Sequence, residues 1–383
     1  MTALVLLLLS PALAWNRHDL VTDAAIKGAP WVETPVVVEP METFLSADAA
    51  ALKTVFEGYY AWLTEHGSTR FHPMAFDPAQ PTVAMFVHAA RLNPATAFTS
   101  GGAVPGTTQT ARQVLDRFAD EPDGGMDNEL FGIPAYGYGV QPYGKPTGDS
   151  SDAPFHMLFA HENFIVRNFA RPITEGMTTE RIALDVRLAR LAFQSGHPYW
   201  GYRFTAWAAH YIQDLAQPYH SRAVPGRGTM WYVGYVFSPC KKQVEARTTQ
   251  VETNRHYLYE DYIGLAMASD LVPSEQKLVA SLGGDTTYPD AASVPALVER
   301  VGRVAADGAK ETDSAISAAF GPRLTDDWRY EVDTDPSFDA STAIAAVPAE
   351  AGEALVARAV LDLQNAGRAT RTVLGFAGVG AQP

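Results

Sequence analysis

The chain contains almost no cysteine and comparatively few cationic residues. Cys240 is its only cysteine among 383 residues, which excludes an intrachain disulfide and a zinc site built from several thiolates, and we expect no disulfide-linked partner. The 29 Lys and Arg residues stand against 43 Asp and Glu residues, so the formal net charge is −14. Because duplex binding depends on cations that neutralise phosphates, this balance argues against a stable nucleic-acid partner. It does not exclude an enzyme that binds phosphate through metal ions.

Several catalytic motifs are also missing from the sequence. It contains no G-x-S-x-G nucleophile elbow, no P-loop and no strand-linked G-x-G-x-x-G. It has no internal repeat and no low-complexity tract. Hydrophobic residues make up 47% of the chain and charged residues 19%, which is typical of a globular protein rather than a disordered or collagen-like one.

An apolar run lies at the N-terminus. Residues 3–14 read ALVLLLLSPALA and end in the small-x-small triplet Ala12-Leu13-Ala14. The run is shorter than the roughly 20 residues of a membrane-spanning helix and resembles a secretory signal peptide, residues 1–14, cleaved after Ala14. Because no Lys or Arg precedes it, an uncleaved anchor or a different start is the alternative. Cleavage would leave Trp15 as the first residue of a secreted or periplasmic protein.

Hydrophobic periodicity predicts a mostly helical protein. Apolar residues recur at helical spacing in six stretches, 48–65, 178–194, 200–216, 245–269, 294–320 and 349–374. The segment Thr229–Phe237 (TMWYVGYVF) instead predicts one strand or an aromatic loop. Two Gly- and Pro-rich stretches, Asn93–Gly106 and Asp120–Pro154, predict long loops. We therefore expect an all-α fold, a single multi-helix domain over residues 15–383, with residues 271–383 as an alternative helical extension.

The first candidate site consists of histidines and a carboxylate in the segment HYIQDLAQPYH. His210 and Asp214 are four residues apart, so a helix places both side chains on one face. Pro218 ends that helix, and His220 can return toward the same face from the following turn. Imidazole and carboxylate are the ligands that a zinc-class ion takes when no thiolate is offered.

A second pair has the same spacing. His256 and Glu260, in the segment HYLYE, are also four residues apart on a predicted helix. Two such pairs in one chain favour a metal site over isolated core or surface histidines.

These segments resemble a known signature. His210-Tyr-Ile-Gln-Asp214, followed by Gln217-Pro218-Tyr219-His220, is similar to the signature of the zinc-dependent phospholipase C and single-strand-specific nuclease family. The resemblance implies an all-helical fold with a cleft that holds three zinc ions per chain. Mature members of that family begin with a tryptophan whose amino and carbonyl groups bind zinc. Here cleavage would expose Trp15, followed closely by His18.

The resemblance also implies a complete ligand set. Asp120, in FADEPDGGMD, best matches an upstream aspartate, with Asp123 as the alternative. His156, in APFHMLF, best matches an upstream histidine, with His161 as the second choice. One zinc ion would be held by Asp120, His156, His210 and Asp214, a second by Trp15, His18 and the bridging Asp214, and the third by His220, His256 and Glu260.

The implied reaction is phosphodiester hydrolysis by a metal-activated water, with Asp120 as the residue that orients or deprotonates this water. Two features resemble the phospholipase C branch: the nucleases typically have Asp where this chain has Glu260, and paired cysteines are absent. We therefore expect hydrolysis of phospholipid to diacylglycerol and a phosphorylated headgroup. The alternative is a single-strand-specific nuclease or 3′-nucleotidase of the same fold.

The aromatic segment between the two ligand pairs has three interpretations. Trp231, Tyr232, Tyr235 and Phe237 can make transient contact with a membrane surface, fill a core under a long loop, or stack on nucleobases. The sequence leaves these alternatives open.

Overall fold

The computed structural model describes residues 17–66, 76–93, 98, 102–127, 130, 153–169, 174–268, 275–332 and 334–380. The predicted signal peptide, Trp15 and parts of both predicted long loops lie outside these residues. The described residues form seventeen α-helices and two short strands. The helices are α1 (His18–Ile26), α2 (Met41–Ala47), α3 (Ala49–His66), α4 (Val83–Ala90), α5 (Ala111–Ala119), α6 (Ala153–His156), α7 (Phe164–Phe169), α8 (Thr178–Gln194), α9 (Pro198–Ala216), α10 (Pro218–Ser221), α11 (Thr229–Val236), α12 (Lys241–Ala268), α13 (Glu275–Leu282), α14 (Val294–Phe320), α15 (Pro322–Thr325), α16 (Ala340–Ala345) and α17 (Ala349–Ala377).

The all-α prediction is confirmed. Helices α8 and α14 have the predicted bounds, and α3, α9, α12 and α17 differ from theirs by a few residues at their ends. Within the described ranges, every helix is too short or too polar to span a bilayer.

Helix α9 runs through the centre of the molecule. Pro198 occupies its first turn, where a missing N–H removes no intrahelical hydrogen bond. Every residue from Tyr199 to Ala216 is buried, because α5, α8, α14 and α17 all pack against this helix. A helix covered on all sides is mostly apolar, so the polar residues His210, Gln213 and Asp214 mark a site that needs them.

A small sheet positions the helix that leads into this site. Strands β1 (Pro35–Val37) and β2 (Thr108–Thr110) pair antiparallel, with Pro35 opposite Thr110. Thr110 then caps α5 in a capping box with Gln113, so the strand fixes where α5 begins. Helix α5 ends at Ala119, against the middle of α9.

The prediction for Thr229–Phe237 as a strand or loop is wrong. The segment forms helix α11, although its aromatic and β-branched residues have high strand propensity. Tyr232 and Tyr235 lie three residues apart on one buried helix face and pack into a hydrophobic cluster with residues of α7 and of the segment after α6. This tertiary packing outweighs the local propensity.

Candidate metal centre

Helix α9 carries the two central side chains of the site in its last two turns. His210 and Asp214 are both fully buried and project from the same face. The helix ends at Ala216, since Gln217 is extended and Pro218 follows it. The short helix α10 then carries His220, also fully buried, back to the same region.

The carboxylate of Asp214 is the hub of the first group of side chains. Its Oδ2 atom lies 2.8 Å from His156 Nδ1 and 3.3 Å from His210 Nε2. Its Oδ1 atom lies 3.4 Å from His18 Nε2, which comes from the start of the chain's first helix. Three histidines from three separate helices therefore converge on one buried carboxylate.

Asp123 brings a second carboxylate to this group. Its Oδ1 atom lies 3.4 Å from His210 Nε2 and 3.7 Å from His156 Nδ1, and its Oδ2 atom lies 3.9 Å from His18 Nε2. The residue sits in a 3-10 turn, Pro122–Gly124, which Gly125 closes with a φ of 93°. A side chain at position 125 would strain this turn, so glycine there helps to set the direction of Asp123.

The second group comes from α10 and α12. His256 Nε2 lies 2.6 Å from Glu260 Oε1 and 3.0 Å from His220 Nε2, and the distance from His220 Nε2 to Glu260 Oε1 is 3.5 Å. All three side chains are at most 1% exposed. Gln217 donates a hydrogen bond to Glu260 Oε1 at 3.2 Å, which ties the turn before α10 to α12.

Most of these histidines use their other ring nitrogen to bind the surrounding protein. Nδ1 of His18 bonds Gln213 Oε1 at 2.8 Å, that of His210 bonds the carbonyl of Ala119 at 2.7 Å, and that of His220 bonds the carbonyl of His156 at 3.0 Å. Metal-binding histidines are typically held by such outer acceptors, which set the tautomer and the direction of the ring.

His156 is oriented by a carboxylate instead. Its Nε2 atom lies 3.4 Å from Asp127 Oδ2. Asp127 is fully buried and also accepts hydrogen bonds from Arg181 and Tyr211. Burial alone raises the pKa of Asp127, but Arg181 and His156 outweigh it and hold the pKa below its usual value. Asp127 is therefore ionised and keeps His156 in place.

The electrostatics of the two groups differ. Burial lowers the pKa of His210, but Asp214 and Asp123 outweigh burial and raise it to about 10. In the second group, burial lowers the pKa of His256 to about 3 and raises that of Glu260 to about 7. The first group therefore has a strongly negative environment that attracts cations, and the second offers a neutral imidazole with a free lone pair.

Several buried polar atoms of the two groups have no hydrogen-bond partner in the described part of the chain. They are His18 Nε2, Asp123 Oδ1, His156 Nε2, Asp214 Oδ1 and Glu260 Oε2. Leaving buried polar atoms unsatisfied is costly; His156 Nε2 faces Asp127, and bound cations would satisfy the other four atoms. Three sets of nitrogen and oxygen atoms are close enough to hold metal ions, and the first two share His210: His18, Asp123 and His210; His156, His210 and Asp214; and His220, His256 and Glu260. The donor chemistry suits zinc-class ions.

The structure brings seven of the nine predicted ligands into these sets, and two differ. Trp15 lies outside the described residues. Asp120 is at the edge of the site, where its Oδ1 atom accepts a hydrogen bond from the backbone N–H of Asp19 at 3.2 Å. Asp123, its sequence alternative, occupies the centre. His161, the alternative to His156, lies elsewhere, with Nε2 3.4 Å from Glu299 Oε2.

A cavity of about 600 Å³ opens beside Asp120. Asp19, Asp116 and Arg117 line it together with Asp120 and polar residues of β2. Burial, followed by the neighbouring Asp19, raises the pKa of Asp120 above its usual value. The cavity gives solvent and small polar molecules access to the edge of the site.

Sequence reasoning missed the residues that hold the ligands. Asp127 and Gln213 orient His156 and His18, yet neither has a spacing that marks it as functional. Their one signal is adjacency, since Gln213 precedes Asp214 and Asp127 follows Asp123 by one turn's length.

Comparison of the chain with protein-family models, with curated proteins and with solved structures gives no match.

Proposed function

We propose that this protein is a zinc-dependent phosphodiester hydrolase of the phospholipase C type, with three zinc ions per chain. The observation that carries the proposal is the convergence of five histidines and three carboxylates into three sets of closely spaced ligand atoms, in which several buried atoms have no hydrogen-bond partner in the described part of the chain. Burying so many ionisable groups is costly in a purely structural core, and bound cations would offset that cost.

The ligand assignment follows the distances among the described residues, and Trp15 is added from the sequence resemblance. One ion would be held by His156, His210, Asp214 and Asp123, a second by His18 and Asp214 with Trp15, and the third by His220, His256 and Glu260. Asp123 replaces Asp120 in this assignment because its oxygen lies 3.4 Å from His210 Nε2. Asp214 faces both His18 and His210, so it would be the ligand shared by two ions.

The chemistry that zinc ions supply here is neutralisation of the phosphate oxygens and activation of a water molecule near neutral pH. The chain's own residues would position and transfer protons. Asp120 lines the cavity beside the site, and its raised pKa suits a residue that takes a proton from the attacking water. Asp127 and Gln213 would keep His156 and His18 in their orientations.

A phospholipid is the substrate class that the rest of the chain favours. The net charge of −14 is unsuited to a polyanion that must be bound along its length. The same charge does not hinder a lipid whose single phosphate reaches the metal centre while its chains stay in the bilayer.

The test combines metal analysis with two substrates. Protein that begins at Trp15 would be loaded with zinc, and its zinc content measured together with hydrolysis of phosphatidylcholine and of single-stranded DNA. We expect about three zinc ions per chain, as the three ligand sets imply, and lipid hydrolysis. Hydrolysis of DNA alone would replace the lipid by nucleic acid, and absence of both activities would refute the proposal.

Two histidine variants provide the matched comparison. His220→Ala removes a ligand of the third set, and we expect loss of about one zinc ion and most of the activity. His161→Ala removes a histidine beside Glu299, outside the three sets, and should leave both unchanged. Equal behaviour of the two variants would contradict the assignment.

A further inference from the structure

Helix α11 exposes an unusual amount of apolar surface. Among the large hydrophobic residues of the described chain, the three most exposed are Phe237 at 81%, Met230 at 78% and Phe164 at 69%. Two of them flank or lie on α11, and the third begins α7. Single exposed hydrophobic residues are common, but three on neighbouring elements form a patch that calls for a partner.

The outward face of α11 contains no charged residue. At 100° per residue, Met230, Val233, Gly234 and Phe237 fall on one side of the helix. The buried tyrosines, Tyr232 and Tyr235, fall on the other and pack into the hydrophobic cluster beneath. A surface helix normally turns polar residues to solvent, so α11 departs from the pattern of a helix that faces only water.

Helix α7 is a neighbour of α11. It packs against α11, and its Val166 is buried in the same hydrophobic cluster as Tyr232. Phe164, at its first position, remains largely exposed. We call Phe164, Met230, Val233 and Phe237 the apolar patch.

The segment that carries α11 is rich in cations although the whole chain is acidic. Residues 222–247 contain five Lys and Arg residues and one acidic residue, Glu245, whereas the chain as a whole has a net charge of −14. The hydroxyl of Tyr235 donates a hydrogen bond to Glu245. Lys242 and Arg247 are exposed, and so is Arg167 on α7. The five cations of the segment are Arg222, Arg227, Lys241, Lys242 and Arg247.

The apolar patch is anchored to the segments that carry metal-site residues. Glu162 accepts hydrogen bonds from the backbone N–H of Ala223 at 2.8 Å and from the hydroxyl of Tyr232 at 3.4 Å. Leu158 N–H donates to the carbonyl of His220 at 2.9 Å. Helix α11 therefore contacts the same short segments that contain His156 and His220.

We propose that the apolar patch docks the protein on an anionic phospholipid bilayer. Its apolar side chains would enter the interface while the cations of this segment contact lipid phosphates. The proposal rests on the proposed function, since it supplies the surface from which a phospholipid would reach the site. A second copy of the chain is a less suitable partner for the apolar patch, because a two-fold interface would place these cations against one another.

The single cysteine offers a direct measurement. Cys240 is exposed and lies three residues after Phe237, so an environment-sensitive fluorophore on its thiol would report on the patch. Zinc-loaded, labelled protein would be titrated with vesicles of phosphatidylcholine plus phosphatidylglycerol and with vesicles of phosphatidylcholine alone. We expect a blue shift and increased emission, with tighter binding to the anionic vesicles.

Gly234 allows the patch to be altered without disturbing its packing. A Cβ atom at this position meets nothing within 4 Å, so larger side chains can be introduced into the open helix face. Gly234→Leu should strengthen vesicle binding, and Gly234→Glu should weaken it about tenfold or more, although both raise helix propensity. Phe237→Ser should also weaken binding. Leu361→Ser, at a side chain 51% exposed on α17, is the control and should have no effect.

The charge contribution has its own variants. Lys241→Gln and Lys242→Gln should each weaken binding to anionic vesicles about fivefold, which corresponds to about 1 kcal/mol per cation at an anionic surface. Equal binding to both vesicle types without an effect of these changes would overturn the anionic bilayer as partner. A dimer that Phe237→Ser dissociates, with no vesicle binding, would assign the patch to self-association instead.

A soluble substrate separates this proposal from the proposed function. Patch variants should hydrolyse a monomeric short-chain phosphatidylcholine at the wild-type rate and lose activity on vesicles alone. Hydrolysis of the short-chain lipid without vesicle binding would overturn docking and leave the proposed function standing. Vesicle binding that depends on the patch, with no hydrolysis of any phosphodiester, would support docking and refute the proposed function.

Discussion

The tautomer of His18 follows from a chain of hydrogen bonds that starts on α17. The hydroxyl of Thr370 donates to the carbonyl of Ala366 at 2.8 Å, so its oxygen accepts from the amide nitrogen of Gln213 at 3.1 Å. The amide oxygen of Gln213 must then face His18, and it accepts a hydrogen bond from Nδ1. Nε2 therefore carries the lone pair and points at Asp214, as a metal ligand requires.

The choice between two aspartates is the first prediction at this scale. We expect Asp123→Asn to lose about one zinc ion per chain and nearly all activity, because its carboxylate lies between His18 and His210. Asp120→Asn should keep the zinc ions but lower the catalytic rate, since Asp120 faces the cavity. Metal analysis and initial rates on the two purified variants measure both effects. Zinc loss in Asp120→Asn and its retention in Asp123→Asn would reverse the assignment.

A second prediction concerns the support of His156. We expect Asp127→Asn to weaken zinc binding about 10- to 100-fold, because the carboxylate that orients His156 is lost. It should also lower the free energy of unfolding, since Arg181 would keep its buried charge without this partner. Titration with a competing chelator gives the affinity, and urea unfolding gives the stability.

Asp185 is the matched control for Asp127. It lies one turn after Arg181 on α8 and is also buried, and burial raises its pKa well above the usual value. Because burial favours the uncharged form of this carboxyl group, we expect Asp185→Asn, which keeps a similar shape, to change zinc affinity little. Equal losses in the two variants would show that the charge of Asp127 has no special role.

At the scale of secondary-structure elements, the ligands predicted best are those on long helices. A helix places two side chains that are four residues apart on the same face, as in the pairs His210–Asp214 and His256–Glu260. The apolar periodicity of α9 and α12 predicts those helices. The sequence therefore indicates both the four-residue spacing and the helix that places the two ligands on one face.

Ligands beyond helix ends could not be placed in this way. Helix α5 ends at Ala119, Asp120 is its cap, and Asp123 follows in a 3-10 turn. Two residues of irregular backbone, Glu121 and Pro122, separate the two carboxylates, and no periodicity specifies which one turns inward. Helix α11 escaped prediction for a related reason, because its helical state depends on packing of Tyr232 and Tyr235 rather than on local propensity.

The crossing of α13 and α17 gives a prediction about an element contact. A Cβ atom on Gly367 would lie 2.4 Å from the backbone carbonyl oxygen of Leu282, which cannot move aside without shifting the end of α13. We therefore expect Gly367→Ala to lower the free energy of unfolding by about 1–3 kcal/mol. Gly375→Ala, in the same helix with nothing within 4 Å of the added atom, should raise it by up to about 1 kcal/mol. Urea unfolding of both variants measures the difference, and equal effects would contradict the close approach.

At the scale of the whole molecule, the first and last helices of the described residues meet across the site-bearing helix. Helices α1 and α17 pack against each other and against α9, and one hydrophobic core includes residues from Val21 to Ala377. His18 depends on this arrangement, since Gln213 holds it while bonding Thr22 of α1 and Thr370 of α17. Composition and periodicity predicted the helices, but such long-range pairing depends on side-chain shapes that no sequence pattern records.

This architecture couples metal binding to the stability of the whole fold. Asp123, Asp214 and Glu260 are at most 8% exposed and converge from a turn, α9 and α12, so their mutual repulsion acts between elements that form the centre of the molecule. Metal ions that bind the folded chain and not the unfolded one stabilise it by mass action, by about 2.7 kcal/mol for each ion present at 100 times its Kd.

We therefore expect chelation to lower Tm by about 5 °C or more, and added zinc to restore it. Magnesium should not restore Tm, because its preferred ligands are oxygens in an octahedral arrangement rather than imidazole nitrogens. Calorimetry with chelator, zinc or magnesium measures this effect, with His220→Ala as a variant that should respond less to zinc. A Tm that is unchanged by chelation of zinc-loaded protein would mean that the three ligand sets bind no ion in the folded state.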